Sequence, residues 1–219
     1  MSSSSRSTLW MASLAPFGDM IALAEKYNAK VIVDEAHSTG LYGAQGAGKL
    51  CALGLEEHLF ARVHTFGKAM GVHGAVVCGS QTLIDYLINF ARPFIYTTAL
   101  PVHSLFSIDA AFDYLSENMA LQTESKDKIF YFNSLFKQKI GNNPDIQKLE
   151  SNTPIQPIIV PGNIRAKTMA QALQKHGFDV RPILSPTVKE GSERLRISIH
   201  THNTEQEIAE LVNQIALLA

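Results

Sequence analysis

The 219-residue sequence predicts an α/β fold with a mostly parallel sheet, followed by a smaller α/β domain. Two short runs that read as strands, at residues 31–33 and near 62–65, are each followed by ionisable side chains. That pattern is typical of the carboxyl edge of an open α/β sheet, where such folds carry their chemistry. An acid, an imidazole and a lysine, namely Asp34, His37 and Lys68, are therefore expected to meet at one sheet edge.

The individual elements follow from periodicity and from turn residues. Apolar residues recur at helical spacing between Pro16 and Asn28, which predicts a helix with proline at its start and asparagine at its end. A buried strand is expected at 31–33 and further short strands near 62–65 and at 75–78, a pattern consistent with parallel pairing. Further along, the patterns predict helices carrying residues 83–90, 105–115, 129–136 and 164–176, and strands at 155–160, 178–181 and 194–199. A last helix begins at the capping box Thr204–Glu207.

Composition excludes several function classes. The hydrophobic content of 46% suits a globular protein, and the net charge of −1 comes without a dense basic cluster. Neither a nucleic-acid partner nor a membrane partner is therefore expected. Two cysteines without metal-ligand spacing predict free thiols in a reducing, cytoplasmic compartment and no metal site. His200 and His202, which are spaced by one residue, are expected at a solvent-facing strand end, since a third ligand is missing.

Several runs together resemble the α-oxoamine synthases, which are pyridoxal-phosphate (PLP) enzymes that join an amino acid to an acyl-CoA with loss of carbon dioxide. Their order matches the family order over residues 14–219, which is far more specific than any one motif. The matching runs are 33–40 (VDEAHSTG), 45–48 (QGAG), 65–68 (TFGK), 90–98 (FARPFIYTT), 155–157 (IQP) and 194–196 (RLR).

The resemblance implies a role for each of four residues. Lys68 would form the Schiff base with PLP and later remove the α-proton of the amino acid. Asp34 would pair with the pyridine nitrogen, which also accounts for an acid directly after an apolar strand. His37 would lie near the phenolic oxygen of the cofactor, and Thr65 would bind its phosphate. Glu35 is expected to point to the opposite face and to matter less.

Two more positions carry over from the family. Arg196 would clamp the carboxylate of the amino acid, a bidentate task that suits guanidinium geometry. Strand alternation places it opposite the apolar residues 195, 197 and 199. Thr98 would approach the cofactor phosphate of a neighbouring subunit, so a homodimer with shared sites is expected.

Within the family, the sequence motifs most resemble those of the members that condense L-alanine with pimeloyl-CoA in biotin biosynthesis. Glycine-using synthases, such as those that make 2-amino-3-oxobutyrate, are the alternative chemistry. A noncatalytic remnant that keeps the fold is the alternative of a different class. Each residue taken alone also has a purely structural interpretation. Lys68 could be an ordinary loop residue and Asp34 a helix cap. His37 could be a structural histidine, and Arg196 could lie on a solvated strand face.

Family members are longer, and this chain resembles their C-terminal half. The expected fold is thus a partial PLP-dependent transferase of fold type I. Residues 14–115 would be a remnant of the large PLP-binding domain and residues 116–219 the small C-terminal domain. Residues 1–13 depart abruptly from the family pattern and are expected to be disordered, and a shifted reading frame or a misassigned start would explain them. Activity of this chain alone is in question.

A nucleotide-binding function competes for two of the same segments. Residues 34–37 (DEAH) resemble the Walker B motif of DEAH helicases, and residues 43–49 satisfy the glycine and lysine spacing of a phosphate loop. Three observations count against it: Leu50 stands where a Mg²⁺-binding hydroxyl is needed, the order of the motifs is reversed, and Gly43 follows no buried strand. The sequence therefore favours the PLP family.

Overall fold

A computed structural model describes residues 15–141 and 143–219 of the protein. The expectation of disorder for residues 1–13 lies outside this range. The chain divides into two compact units, a first unit that ends at Gln122 and a second unit over Thr123–Ala219. Among the described residues, no helix is long and apolar enough to span a bilayer.

The first unit alternates helices with the strands of one small sheet. Its elements are α1 (Phe17–Lys26), β1 (Ile32–Asp34), α2 (Lys49–Ala52), β2 (Ala61–Thr65), β3 (Ala75–Gly79), α3 (Gln81–Phe90), α4 (Arg92–Ile95) and α5 (Val102–Glu117). Short 3₁₀ turns lie at Ala44–Gly46 and Glu56–His58. Serine at position 80 caps α3, because its Oγ accepts a hydrogen bond from the backbone N–H of Leu83 at 3.3 Å.

The sheet of the first unit has the strand order β1-β2-β3. β1 pairs with β2 in parallel, with Asp34 opposite Val63. β2 pairs with β3 antiparallel, so the expectation of parallel pairing is wrong for the third strand. The reason is the short connection over 66–74, which closes as a hairpin with Phe66 N–H donating to the carbonyl of Gly74 at 2.9 Å. A parallel crossover needs a dozen or more residues.

The expectation of a buried first strand is also only partly correct. Val33 is buried, whereas Ile32 is 61% exposed and Asp34 is exposed. β1 forms one edge of the sheet within the described residues, which leaves the outer side of the strand open. An apolar run predicts a strand, but it does not reveal how many neighbours the strand has.

The second unit is an antiparallel sheet packed with helices. Its elements are β4 (Gln147–Lys148), β5 (Ile155–Ile159), α7 (Asn163–Lys175), β6 (Arg181–Ile183), β7 (Arg194–Ser198) and α8 (Glu205–Leu218), and α6 (Ala120–Ile140) leads into it. The strand order is β4-β5-β7-β6. Side chains from every layer meet in one core that excludes water, among them Phe132, Ile158, Leu173, Leu195 and Val212.

Three details of the second unit bear on the sequence-based expectations. The capping box is confirmed, because Thr204 Oγ1 accepts from Glu207 N–H at 3.1 Å and Glu207 Oε2 accepts from Thr204 N–H at 2.8 Å. The strand expected at 178–181 begins only at Arg181, because Val180 N–H donates to the carbonyl of Phe178 in a tight turn. The two-residue strand β4 was missed, since it is too short to show periodicity.

The structural boundary lies later than the expected break between residues 115 and 116. α5 and the start of α6 belong to the first unit. Leu115 is buried against Gly46, and the Gln122 side chain donates to the carbonyl of Gly43 at 3.1 Å. These contacts hold the end of α5 and the first turn of α6 to the loop after β1, which the sequence pattern alone does not show.

Candidate active site

Three of the expected site residues lie at the same edge of the first sheet. Asp34 ends β1 and Thr65 ends β2, and the parallel pairing brings both ends to one side. Lys68 follows β2 in the turn, where its Nζ donates to Thr65 Oγ1 at 3.4 Å. Asp34 and Lys68 are exposed, so both charged groups are open to a ligand.

Asp34 and His37 lie at the end of β1 and in the turn that follows it. Asp34 Oδ1 accepts a hydrogen bond from the backbone N–H of Ala36 at 2.9 Å, which fixes the carboxylate at the strand end. His37 is half-buried in the same turn. Asp34 is exposed in the described residues, so the expectation that it is buried is wrong. The argument that a buried carboxylate needs a partner to offset its desolvation therefore does not apply to it here.

Glu35 is the buried charge of this turn, with 2% of its surface exposed. Its Oε2 accepts hydrogen bonds from the backbone N–H of Lys49 at 2.5 Å and of Leu50 at 3.3 Å, and it also accepts from the Ser38 hydroxyl. The guanidinium of Arg62 lies 3.7 Å from Oε1. Glu35 thus joins β1, β2 and the start of α2, a structural role that the sequence analysis did not foresee.

Gly48 allows the Glu35 carboxylate to lie close to the backbone at the start of α2. A Cβ at this position would stand 2.5 Å from Glu35 Oε2, and the φ of +106° is one that other residues rarely adopt. The backbone N–H groups of Lys49 and Leu50, which a phosphate loop would present to a nucleotide, are thus occupied by the Glu35 carboxylate. The structure agrees with the sequence argument against a nucleotide-binding function.

His64 is a second buried polar residue, and sequence reasoning missed it. Its Nδ1 lies 2.9 Å from Thr39 Oγ1, and the Thr39 hydroxyl donates its proton to the carbonyl of Glu35 at 2.8 Å. Nδ1 of His64 must then carry the proton and donate to Thr39. Burial lowers the pKa of His64, against an opposing effect of Glu35. A histidine within an apolar strand gave no signal of such a partner.

Arg196 lies in the second unit, on β7. Leu195, Ile197 and Ile199 are buried on the other side of the strand, as the alternation predicts, but Arg194 is buried as well. The Arg196 Nε is itself buried and has no hydrogen-bond partner within the described residues. A buried N–H without an acceptor is costly, which favours an anionic ligand over a solvated strand face.

Two remaining expectations concern Thr98 and metals. Thr98 lies in the exposed segment after α4, away from the strand ends in sequence, and its cross-subunit role stays a prediction. Residues 15–141 and 143–219 contain no cluster of three or more His, Cys, Asp or Glu that could hold a metal ion. His200 and His202 are exposed, and their rings stack at 5.0 Å.

Comparison with known proteins identifies the class to which this fold and site belong. A family model described as aminotransferase class I and II matches residues 11–215. The chain belongs to the aminotransferase class I and II family.

Curated relatives narrow the comparison. The 8-amino-7-oxononanoate synthase of Emericella nidulans is 37% identical over an alignment of 220 positions, which covers 93% of this chain and 50% of the relative. The 8-amino-7-oxononanoate synthase of Ralstonia pickettii is 36% identical over 203 residues, which cover 92% of this chain and 49% of the relative. The chain thus spans about half the length of the curated relatives it matches.

Solved structures agree with this grouping. A serine palmitoyltransferase from S. paucimobilis, solved with a PLP–myriocin aldimine, is 25% identical with a TM-score of 0.85 and matches 95% of this chain and 52% of its own. The 8-amino-7-oxononanoate synthase of Francisella tularensis is 30% identical with a TM-score of 0.76 and matches 90% and 57%. The partial PLP-enzyme fold expected from the sequence is confirmed.

The contacts of Glu35 generate a stability prediction. Glu35→Gln places an amide N–H₂ where the carboxylate now accepts from two backbone N–H groups and a hydroxyl, so at least one donor loses its acceptor. We expect a loss of about 1–3 kcal/mol in the free energy of unfolding, measured with urea at neutral pH. Glu57→Gln, at an exposed position in the neighbouring 3₁₀ turn, is the matched control and should change little. Equal stability of the two variants would contradict the assigned role.

The burial of His64 generates a prediction on pH. The folded protein holds its pKa below the ordinary value of 6.5, so the unfolded chain takes up a proton that the folded chain does not as the pH falls through that value. This residue therefore lowers the free energy of unfolding as the pH falls below about 6.5. His64→Gln should weaken the fall of the urea midpoint over that range, and the exposed control His73→Gln should not. A pH dependence that both variants share with the parent chain would exclude His64 as a source.

Proposed function

We propose that this chain forms part of a PLP-dependent 8-amino-7-oxononanoate synthase. The reaction condenses L-alanine with pimeloyl-CoA and yields 8-amino-7-oxononanoate, carbon dioxide and free CoA. The single observation that supports it most is the placement of Asp34, Thr65 and Lys68 at one sheet edge, with the Lys68 amine 3.4 Å from the Thr65 hydroxyl. The names of its relatives give the product, and the family resemblance implies the two substrates.

The donor set at this edge fits PLP. A primary amine matches the aldehyde, a carboxylate matches the protonated pyridine nitrogen, and a hydroxyl matches the phosphate. Lys68, Asp34 and Thr65 supply these groups in that order. PLP, when bound, supplies an aromatic system that withdraws electrons and stabilises negative charge on the α-carbon of the amino acid.

The residues of the chain would carry the other steps. The Lys68 amine would hold the aldehyde of the cofactor and would also be the group that accepts the α-proton of the amino acid. Asp34 would keep the ring nitrogen protonated, and His37 would donate a hydrogen bond to the cofactor oxygen or to the carbonyl of the substrate. Arg196 orients the alanine carboxylate, since its buried Nε needs an acceptor. Thr98 would contact the phosphate across a homodimer.

Two alternatives share the fold. A glycine-using synthase would form 2-amino-3-oxobutyrate, and release of CoA with glycine and acetyl-CoA, but not with alanine and pimeloyl-CoA, would favour it. A noncatalytic remnant is supported by the half-length match to relatives. The residues that would close the other sides of the cofactor are expected in the uncovered half, so we propose little turnover for the 219-residue chain alone. A cytoplasmic location remains a prediction from its two free cysteines.

Covalent labelling tests the role of Lys68. Incubation with PLP followed by borohydride reduction should attach a pyridoxyl group at Lys68, because the lysine amine and the aldehyde combine reversibly and reduction makes the link permanent. Peptide mass mapping should find the label at Lys68 and find it lost in Lys68→Ala. Lys49→Ala is the control, since its ammonium instead lies over the Tyr42 ring at 5.0 Å. Labelling spread equally over surface lysines would reject the assignment.

A titration with L-alanine tests Arg196. Arg196→Ala should leave the PLP label on Lys68 intact but abolish the change that alanine causes in the cofactor spectrum, with a loss on the order of 2 to 4 kcal/mol in alanine binding. Arg181→Ala is the matched control, because Arg181 lies opposite Arg196 on β6 and is exposed and paired with Asp179. An unchanged alanine response in Arg196→Ala would remove it from the site.

A further inference from the structure

The turn that carries Lys68 lies against one face of helix α5. Phe66, two residues before the lysine, has only 5% of its surface exposed. Its ring meets the ring of Phe112 edge to face, with 5.6 Å between the centroids. Gly74 closes the other end of the turn, and a Cβ at this position would stand 2.7 Å from Cδ1 of Ile108. Both ends of the turn therefore contact the same helix.

Backbone hydrogen bonds join the two ends of this turn into one frame. Phe66 N–H donates to the carbonyl of Gly74 at 2.9 Å, and Val72 N–H donates to the carbonyl of Phe66 at 3.0 Å. Lys68 lies inside the frame, where its carbonyl accepts from Gly71 N–H at 3.1 Å. The side chain of Lys68 is exposed, so the contacts beneath the frame, rather than packing around the lysine itself, set where the amine lies.

The same face of α5 also supports the loop after β1. Leu115 follows Phe112 by three residues, which places both on one side of the helix. Leu115 is buried, and a Cβ at Gly46 would stand 2.5 Å from its Cδ2. The two loops also meet each other, because a Cβ at Gly40 would stand 2.9 Å from Sδ of Met70. One stripe of α5 thus lies under both loops from which the candidate site is built.

The ring at position 112 provides more than apolar cover. Elsewhere on α5, Leu105 and Tyr114 are exposed, and Phe106 is 69% exposed within the described part of the chain. The rings of Phe66 and Phe112 are inclined at 83°, an arrangement that aromatic pairs prefer and that an aliphatic side chain does not reproduce. Phe112 can therefore fix the angle of the Phe66 ring as well as cover it.

We propose that Phe112 is a positioning residue for Lys68 and that it acts through Phe66. The inference rests on the proposed function, because it concerns the amine that would hold the cofactor. The Phe112 ring fixes the Phe66 ring, and the hydrogen-bonded frame carries that position to Lys68. The amine has to meet an aldehyde on a molecule that Asp34 and Thr65 would hold at the same time. A small displacement of the turn would therefore slow the reaction of the amine.

Four substitutions separate placement from packing. Phe112→Leu keeps an apolar side chain but removes the ring edge, and Phe66→Leu removes the other member of the pair. Phe106→Leu is the matched control, since it makes the same change on an exposed face of the same helix. Ile21→Val shortens a buried side chain in α1 and lowers stability without a change in the turn or in α5.

The measurement is the rate at which PLP and borohydride label Lys68 in the 219-residue chain, followed by peptide mass mapping. We expect at least about a tenfold loss in Phe112→Leu, and a rate within about twofold of the parent in Phe106→Leu and Ile21→Val. Phe66→Leu should match Phe112→Leu, and the double variant should lose no more than either one. Formaldehyde requires only the amine, so reductive methylation of Lys68 should proceed equally in every chain.

Three results would overturn the proposal. The first is PLP labelling of Phe112→Leu at the parent rate. The second is an equal loss in Ile21→Val, because the rate would then follow stability and not placement. The third is a loss of methylation that equals the loss of PLP labelling, because the exposure or basicity of the Lys68 amine would then have changed.

Amide hydrogen exchange at Val72, inside the turn, distinguishes this proposal from the proposed function. It requires no cofactor and should be at least about tenfold faster in Phe112→Leu than in Phe106→Leu. Equal exchange in the two variants would reject the role of Phe112. Labelling of the parent chain without preference for Lys68 would instead reject the proposed function, and the difference at Val72 would still assign the placement of the turn to Phe112.

Discussion

The buried carboxylate of Glu35 is the constraint on which the first unit depends. A charge with 2% exposure is tolerable only when hydrogen bonds replace its water, and here backbone N–H groups of Lys49 and Leu50 do so, together with the Ser38 hydroxyl. Because Glu35 follows β1 directly, these bonds fix the turn that carries Asp34 on one side and His37 on the other. The geometry of the candidate site thus derives from a residue that points away from it.

Neighbouring contacts extend this constraint. The Thr39 hydroxyl joins the carbonyl of Glu35 to His64 on β2, and Arg62 on the same strand approaches the carboxylate from the other side. Arg62 also donates to the thiol sulfur of Cys51 at 3.0 Å. The parallel pair β1–β2 is therefore linked by polar side chains as well as by its backbone ladder. This is the pair whose ends hold Asp34 and Thr65.

The two units differ in how completely their sheets are covered. The four-stranded sheet of the second unit contributes to a core in which Phe132, Ile158 and Leu195 have no exposed surface. In the first unit, Ile32, Val76 and Val77 remain open, and large apolar side chains on α3 and α5 are exposed as well. Such patches mark interaction surfaces. The curated relatives are about twice as long as the part that matches this chain, which agrees with exposed apolar surface on the first unit.

The sequence by itself determined most of the elements, the family and the residues proposed for the candidate site. Periodicity located α1, β2, β3 and α8 to within a few residues, because burial of one face is written directly into residue order. Motif order over the whole chain identified the family, and the carboxyl-edge rule was enough to predict that Asp34 and Lys68 lie at one edge of the sheet. Local patterns carry these features, so local reasoning recovers them.

Only the tertiary structure decided the pairing and the buried polar groups. The antiparallel direction of β3, the burial of Glu35 and the partnership of His64 with Thr39 all depend on residues that are distant in sequence. The sequence does not distinguish a turn glutamate or a strand histidine that faces water from one that is buried against another segment. Their role is set by the desolvation and hydrogen bonding that arise when separate segments pack, and no local pattern encodes that energy.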